Sequence, residues 1–297
     1  MLNLKIFLCD NGVYTKEHFK TSVVDMLKQI ACEHGFSAEV MIEQGAGTYS
    51  VHAPEGAEEQ AALFEKMLAG ISDDIDAGEF LHRRIIRRLS ALGVDFIDGG
   101  NTYIDNTAEI AAGVRIYPNV YIEGNVKIGE GTVLYPGCRI EDSVIGKNCV
   151  LEQVRAREAS IGDSVSIGPY VNLRPGTVIA DGCRIGDFVE VKNSKIGSGT
   201  KLPHLSYIGD ADVGERVNVG CGTVFVNYDG KNKHRTRVGN DVFIGCNTNL
   251  IAPVSVADGA YTAAGSTITD DVPEKTLAIA RARQVNKAGW VAPKERE

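Results

Sequence analysis

The chain has no Cys-x-x-Cys pair, no long apolar run and no excess of basic charge. Each lack excludes something. Seven cysteines at irregular spacing make neither a disulfide framework nor a structural zinc site, and they fit a reducing, cytoplasmic setting. No apolar stretch approaches the ~20 residues of a membrane span. The start, Met1 to Asp10, lacks the apolar core and small-residue cleavage site of a secretory signal and reads as a first strand, again as expected of a cytoplasmic protein. A net charge of −8 disfavours nucleic acid, whose phosphate backbone calls for a broad basic surface. Gly45-x-Gly47 has no third glycine and no following Lys-Ser/Thr, so it is no phosphate loop.

What the chain does have is a six-residue beat. Ile104, Ile110, Ile116, Ile122, Ile128, Leu134 and Ile140 fall at equal steps. A helix repeats its apolar residues every three or four positions and a strand every two, so this period belongs to a coiled solenoid. Each hexad reads as one short strand and one tight corner, with the aliphatic side chain inward. The beat resumes at Ile161, Ile167, Leu173, Ile179, Ile185 and Val191, at Val213 and Val219, and from Val238 through Ile244, Leu250, Val256 and Thr262 to Ile268. With three hexads per coil and coils stacked ~4.8 Å apart, residues 104 to 268 predict a prism about 45 Å long. One-residue slips occur at Ile140 to Ile145 and at Val191 to Ile196, while the polar run from Val226 to Arg237 has no beat. That run is expected to loop out, a usual place for function on a repeat scaffold.

The first hundred residues are organised differently. Ile6 to Leu8 reads as a strand, and Thr15 starts a helix carrying Phe19, Val23, Met26, Leu27 and Ile30 that ends at Gly35. Two strands follow near Val40 to Ile42 and Tyr49 to Val51, joined by Gly45-Ala46-Gly47. A second helix carries Leu63, Phe64, Met67 and Leu68, completing a small α/β domain over residues 1–72. A linker over residues 73–98 holds a helix from Phe80 to Leu92 that stops at Gly93, with Arg83, Arg84, Arg87 and Arg88 on a solvated or inter-subunit face. The solenoid then spans 99–268, and a tail runs from 269 to 297.

Several uncommon segments occur in order in the second half: Leu173-Arg174-Pro175-Gly176, Phe188 to Asn193, His204 to Ala211, Val217 to Thr223 and Asn227-Tyr228-Asp229-Gly230. From about residue 80 to 290, ending in Ala288-Gly289-Trp290, the chain resembles the acetyltransferase half of the bacterial bifunctional N-acetylglucosamine-1-phosphate uridylyltransferase/glucosamine-1-phosphate N-acetyltransferases. The resemblance implies a left-handed parallel β-helix, an exception to the usual crossover hand, in a homotrimer with active sites between subunits. It also implies that acetyl-CoA donates an acetyl group to glucosamine 1-phosphate with no metal involved. By it His204 is the general base, and Arg174, Lys192, Tyr207, Asn218 and Lys233 bind the amino-sugar phosphate. The looped Lys233 is expected to reach the site of an adjacent subunit. Cys221, Asn227, Tyr228, Cys246, Ala264 and Arg281 fall on the acetyl-CoA contacts, which the C-terminal tail completes. Cys221 stands where alanine is common in that family and Cys246 where serine is common.

The residue chemistry agrees with these roles. Acyl transfer to an amine needs a free nitrogen lone pair, and histidine is the natural base to take the ammonium proton. Arginine and lysines converging from separate segments make charge-assisted bonds to a phosphate. A basic patch formed by Lys231, Lys233, His234, Arg235 and Arg237, with Arg281, Arg283 and Lys287, suits a small anion on an otherwise acidic chain. The Gly-rich loop and following Thr-Arg-Met of the family's nucleotidyl-transferring half are absent from these residues, so uridylyl transfer is not expected of them. Three other readings remain: the same transfer to another amino-sugar phosphate or a nucleotide-linked amino sugar, a zinc lyase on the same solenoid, and a catalytically silent scaffold whose N-terminal domain binds a partner. The lyase needs three converging histidines, and the repeats hold only His204 and His234.

Overall fold

The computed structural model of the protein describes residues 2–10, 28, 32, 36–44, 50–52 and 77–290. Strand β1 (Leu2–Asp10) is central in a three-stranded sheet, with β2 (Phe36–Gln44) parallel on one side and β3 (Ser50–His52) antiparallel on the other. The strands fall where the alternating pattern put them. β2 and β3 nevertheless do not pair with each other, so Gly45-Ala46-Gly47 closes no hairpin. Both strands take β1 as their partner, one on each of its edges, which sets them apart on opposite sides of it. The expected helix between Thr15 and Gly35 lies outside the described residues apart from Lys28 and Cys32, which are helical. The expected helix over Leu63 to Leu68 lies wholly outside them.

Helix α1 (Ala77–Ala91) packs Ile85 and Leu89 into the first coils, while Arg83, Arg87 and Arg88 stay exposed. Its end is set by Gly93, whose φ of 95° is open to glycine at low cost. Gly93 N donates to Ser90 O at 3.0 Å and Val94 N to Leu89 O at 3.0 Å, the paired bonds of a Schellman stop.

From Asp95 onward the chain coils into three parallel sheets of 11, 10 and 9 strands. Successive coils stack in register, as Ile116, Leu134 and Leu151 do on the eleven-strand face. The strands are two to four residues long and nearly all alternate outward and buried positions. The inward column, including Ile116, Ile122, Leu134, Ile140, Leu151 and Leu173, is fully buried. A parallel stack buries its aliphatic residues only between neighbours, so the core is continuous along the axis. At the corner that follows the nine-strand face, side-chain oxygens of Asp163, Asp181, Asn240 and Asp258 accept backbone N–H groups from the coil before, at 2.7–2.9 Å. These bonds satisfy donors that a turn would otherwise leave unpaired.

The slips at Ile145 and Ile196 shorten a corner without breaking register, since Ile145 pairs with Ile128 and Ile196 with Ile179. The polar excursion does loop out. Val213 pairs with Val238, 25 residues on, whereas Ile196 pairs with Val213 after 17. Residues 228–233 are all exposed.

Candidate active site

Two edges border the ten-strand face, and most of the predicted site residues fall on them. Along the edge shared with the eleven-strand face, Asp187 and His204 are register partners. Hydrogen bonds from Leu205 N to Asp187 O (2.8 Å), Asn247 N to Cys221 O (2.7 Å) and Gly265 N to Cys246 O (2.8 Å) continue the climb from coil to coil. Asp187, His204, Cys221, Cys246 and Ala264 therefore stand in single file. Arg281 follows, its Cδ 3.7 Å from where a Cβ on Gly265 would lie.

The His204 ring is exposed, and its Nδ1 lies 2.7 Å from Asp187 Oδ1. The contact with His204 holds the Asp187 carboxyl below the usual carboxylate range. An ionised carboxylate only accepts, so Nδ1 carries the proton and donates it. Nε2 of the neutral ring is then left with its lone pair outward. Asp187 was not singled out in the sequence, although it precedes His204 by one 17-residue coil, a spacing that repeat arithmetic could have flagged.

The opposite edge, toward the nine-strand face, carries the cations. Lys192 pairs in register with Gly209. Asp210, 7% exposed, accepts from Lys192 Nζ at 3.2 Å, from Asn193 Nδ2 at 2.6 Å and from Asn227 Nδ2. Burial opposes charge on Asp210, yet these three donors hold its pKa below the usual range. Lys233 comes back from the loop beside Lys192 of its own chain, and that neighbouring ammonium pulls the Lys233 pKa down. Arg174 completes the group, its Nη1 donating to Glu190 Oε1 at 2.9 Å. Tyr207 brings its hydroxyl to 3.5 Å from Asn227 Nδ2. A Cβ at Gly209 would lie 2.6 Å from Tyr207 Cζ and 2.7 Å from Asn227 Nδ2, so a larger residue there would displace these two side chains.

Arg174, Lys192, Tyr207, Asn227 and Lys233 are thus brought together. Asn218 is not with them: it sits on the eleven-strand face between Lys201 and Phe243. The acetyl-CoA residues expected from the sequence also divide, with Asn227 and exposed Tyr228 on the cation edge and the other four on the His204 edge. Part of the basic patch proves structural. Arg235 forks onto Asp212 with two 2.6 Å bonds and reaches Ala211 O and Asn193 O, rooting the loop. His234 Nε2 lies 2.7 Å from Asp229 Oδ2, while Asp229 Oδ1 accepts Lys231 N and Asn232 N. These internal bonds consume charges that the sequence reading assigned to an anion. Among the described residues, no group of three or more His, Cys, Asp or Glu side chains is arranged to hold a metal ion.

Short in-register strands, turn corners and a looped-out segment define the class: a parallel β-solenoid of hexapeptide repeats. The family model "Bacterial transferase hexapeptide (six repeats)" matches residues 107–142 and 158–193. The chain is a homologue of the bifunctional protein GlmU. It is 53% identical to GlmU of Caldicellulosiruptor saccharolyticus over 215 residues, 72% of this chain and 46% of that one. To GlmU of Clostridium acetobutylicum it is 48% identical over 258 residues, 86% of this chain and 54% of that one. The chain therefore spans about half the length of these curated relatives. The solved structure of Arabidopsis UDP-N-acetylglucosamine acyltransferase shares the fold, with a TM-score of 0.50 and 17% identity over 61% of this chain and 70% of that one. No helix among the described residues is long and apolar enough to cross a membrane.

Proposed function

We propose that this chain is an acetyl-CoA-dependent N-acetyltransferase that converts glucosamine 1-phosphate to N-acetylglucosamine 1-phosphate in the cytoplasm, as a homotrimer. The observation that carries the reading is the file His204, Cys221, Cys246, Ala264, Arg281 bordering the same face as the cation cluster. Four coil steps separate His204 from Arg281, about 19 Å at ~4.8 Å per step. That length suits an extended pantetheine arm, with its thioester at His204 and its phosphates at Arg281. Across the ten-strand face, Arg174, Lys192 and Lys233 offer positive charge to the sugar phosphate.

Binding the phosphate orients the amino group toward the His204 edge. His204 Nε2 takes the ammonium proton, and the freed lone pair attacks the thioester carbonyl. A carbon–nitrogen bond forms, the tetrahedral centre collapses, and the carbon–sulfur bond breaks to release coenzyme A thiolate, which takes up the second proton that the nitrogen sheds as it becomes an amide. Asp187 fixes the tautomer and stabilises the imidazolium formed. Such a base contributes about 10²- to 10⁴-fold. The division of site residues between two edges supports sites built between subunits.

The GlmU homology supports the choice of acceptor. A panel of amino-sugar phosphates, free amino sugars and nucleotide-linked amino sugars, assayed by thiol release from acetyl-CoA, tests it. Fastest release is expected with glucosamine 1-phosphate. Preference for another acceptor would replace the substrate, and no release with any would refute the enzyme.

A further inference from the structure

The structure sorts the cysteines of the solenoid into two kinds. Cys138, Cys149 and Cys183 are buried, and their thiols donate to Leu151 O, Gly162 O and Gly197 O at 3.1–3.4 Å. Burial pushes the Cys138 thiol up to about 11 and raises the other two, so all three are inert thiols. Cys221 and Cys246 are different. The first is half-buried, the second is exposed, and they stand one coil apart on the His204 edge.

Their backbones stack directly. Val219 pairs with Ile244, Gly220 N donates to Ile244 O at 2.8 Å and Asn247 N donates to Cys221 O at 2.7 Å. A Cβ placed on Gly220 would come within 2.8 Å of Cys246 Cα. Each cysteine begins a tight turn whose next residue is left-handed, Gly222 at φ 74° and Asn247 at φ 54°. Both side chains therefore leave the corner from equivalent positions. Coils spaced ~4.8 Å apart fall inside the Cα separation of about 4.4–6.8 Å that a disulfide spans.

We propose that a peroxide converts Cys221 and Cys246 into a reversible disulfide that closes the acetyl-CoA edge. The closure rests on reading that edge as the pantetheine channel. The exposed Cys246 thiolate attacks the peroxide, the oxygen–oxygen bond breaks, and Cys246 sulfenic acid and one water result. The Cys221 thiolate then attacks the Cys246 sulfur, forming the S–S bond and expelling hydroxide, which becomes a second water. Two thiols and one hydrogen peroxide thus give one disulfide and two waters. The new bond lies between His204 and Ala264, across the path from Arg281 to the base, and a dithiol reverses it.

The test treats the full chain with hydrogen peroxide, maps its peptides without reduction, and measures acetyl-CoA binding by calorimetry before treatment, after it, and after dithiothreitol. Expected are a linked Cys221–Cys246 peptide, free thiols at Cys138, Cys149 and Cys183, at least about tenfold weaker acetyl-CoA binding, and full recovery on reduction. Bound acetyl-CoA present during treatment should slow the linkage. Separate sulfenic or sulfinic acids, or bonds between chains, would overturn the proposal. A linked form that binds acetyl-CoA as well as the reduced one would overturn the closure. Failure of the untreated protein to bind acetyl-CoA would refute the proposed function and the closure together, while the peptide map would still decide the bond.

Discussion

Replacing Asp210 by asparagine probes what holds the cation edge in shape. The carboxylate takes three side-chain donors at once, from Lys192, Asn193 and Asn227. An amide offers one oxygen in place of two and turns an NH2 group toward donors. Losing the charge-assisted bond to Lys192 costs about 1.5–3 kcal/mol, and a buried donor left without an acceptor costs about 1–3 kcal/mol. Together they come to about 2.5–6 kcal/mol, a range centred on the roughly 3–5 kcal/mol usual for removing one partner of a buried pair. Asp210→Asn should lower stability by that amount at neutral pH in urea denaturation. In a double-mutant cycle with Lys192→Met, about 1.5–3 kcal/mol should appear as coupling. The pH dependence has a definite sign. Because the folded pKa of Asp210 is depressed, its contribution is complete above the unfolded value of about 3.9 and is lost as pH falls through the folded value. The gap between wild type and variant should therefore be flat near neutrality and narrow under acid. Additivity of the two single variants within about 0.5 kcal/mol, or a gap that does not narrow in acid, would refute this account of the cluster.

The remaining predictions concern the chemistry and the core. His204→Ala should fold and bind acetyl-CoA while kcat falls about 10²- to 10⁴-fold, and the acid limb of the wild-type kcat/KM profile should vanish; wild-type turnover would remove His204 as the base. Lys233→Ala should raise KM for the phosphorylated acceptor about tenfold, equivalent to about 1.4 kcal/mol, with little change for the unphosphorylated sugar; equal effects on both would show that the lysine does not read phosphate. Reassembled mixtures of His204→Ala and Lys233→Ala chains should show a component with the wild-type KM if the two edges meet across subunits, and mixtures showing only the raised KM of the Lys233→Ala chain would confine the site to one chain. Phe225 is fully buried in the strand that leads into the loop, so Phe225→Ala should cost about 3–5 kcal/mol in denaturant unfolding; a cost below about 1 kcal/mol would mean the site collapses without a cavity.

How much of this could be read from the chain differs from residue to residue. The hexad beat predicted the three-sided coil because a parallel stack permits few other burial patterns: Ile116, Leu134 and Leu151 line one column. Gly93 marked the helix stop, and the missing beat after Val226 marked the loop, each through a local rule with a single outcome. The pairing of β1, β2 and β3 was not legible, since alternation identifies a strand but not its neighbour.

The residue types at the site were also written in the sequence, but their company was not. Repeat spacing alone places Asp187 one coil below His204, because register along a solenoid is set by counting. Whether two side chains on different edges of a coil meet depends instead on where each corner turns and on which charges are already paired. His234 and Arg235 look, as residues, like anion ligands, and only the folded loop turns them onto Asp229 and Asp212. Lys192 and Lys233, 41 positions apart in the chain, become neighbours only because the coil returns them to one edge, with Asp210 buried beneath Lys192. Sequence thus determines the period, and with it the core and the columns. The tertiary structure decides which charges remain free, because pairing depends on distances across coils that no local pattern encodes.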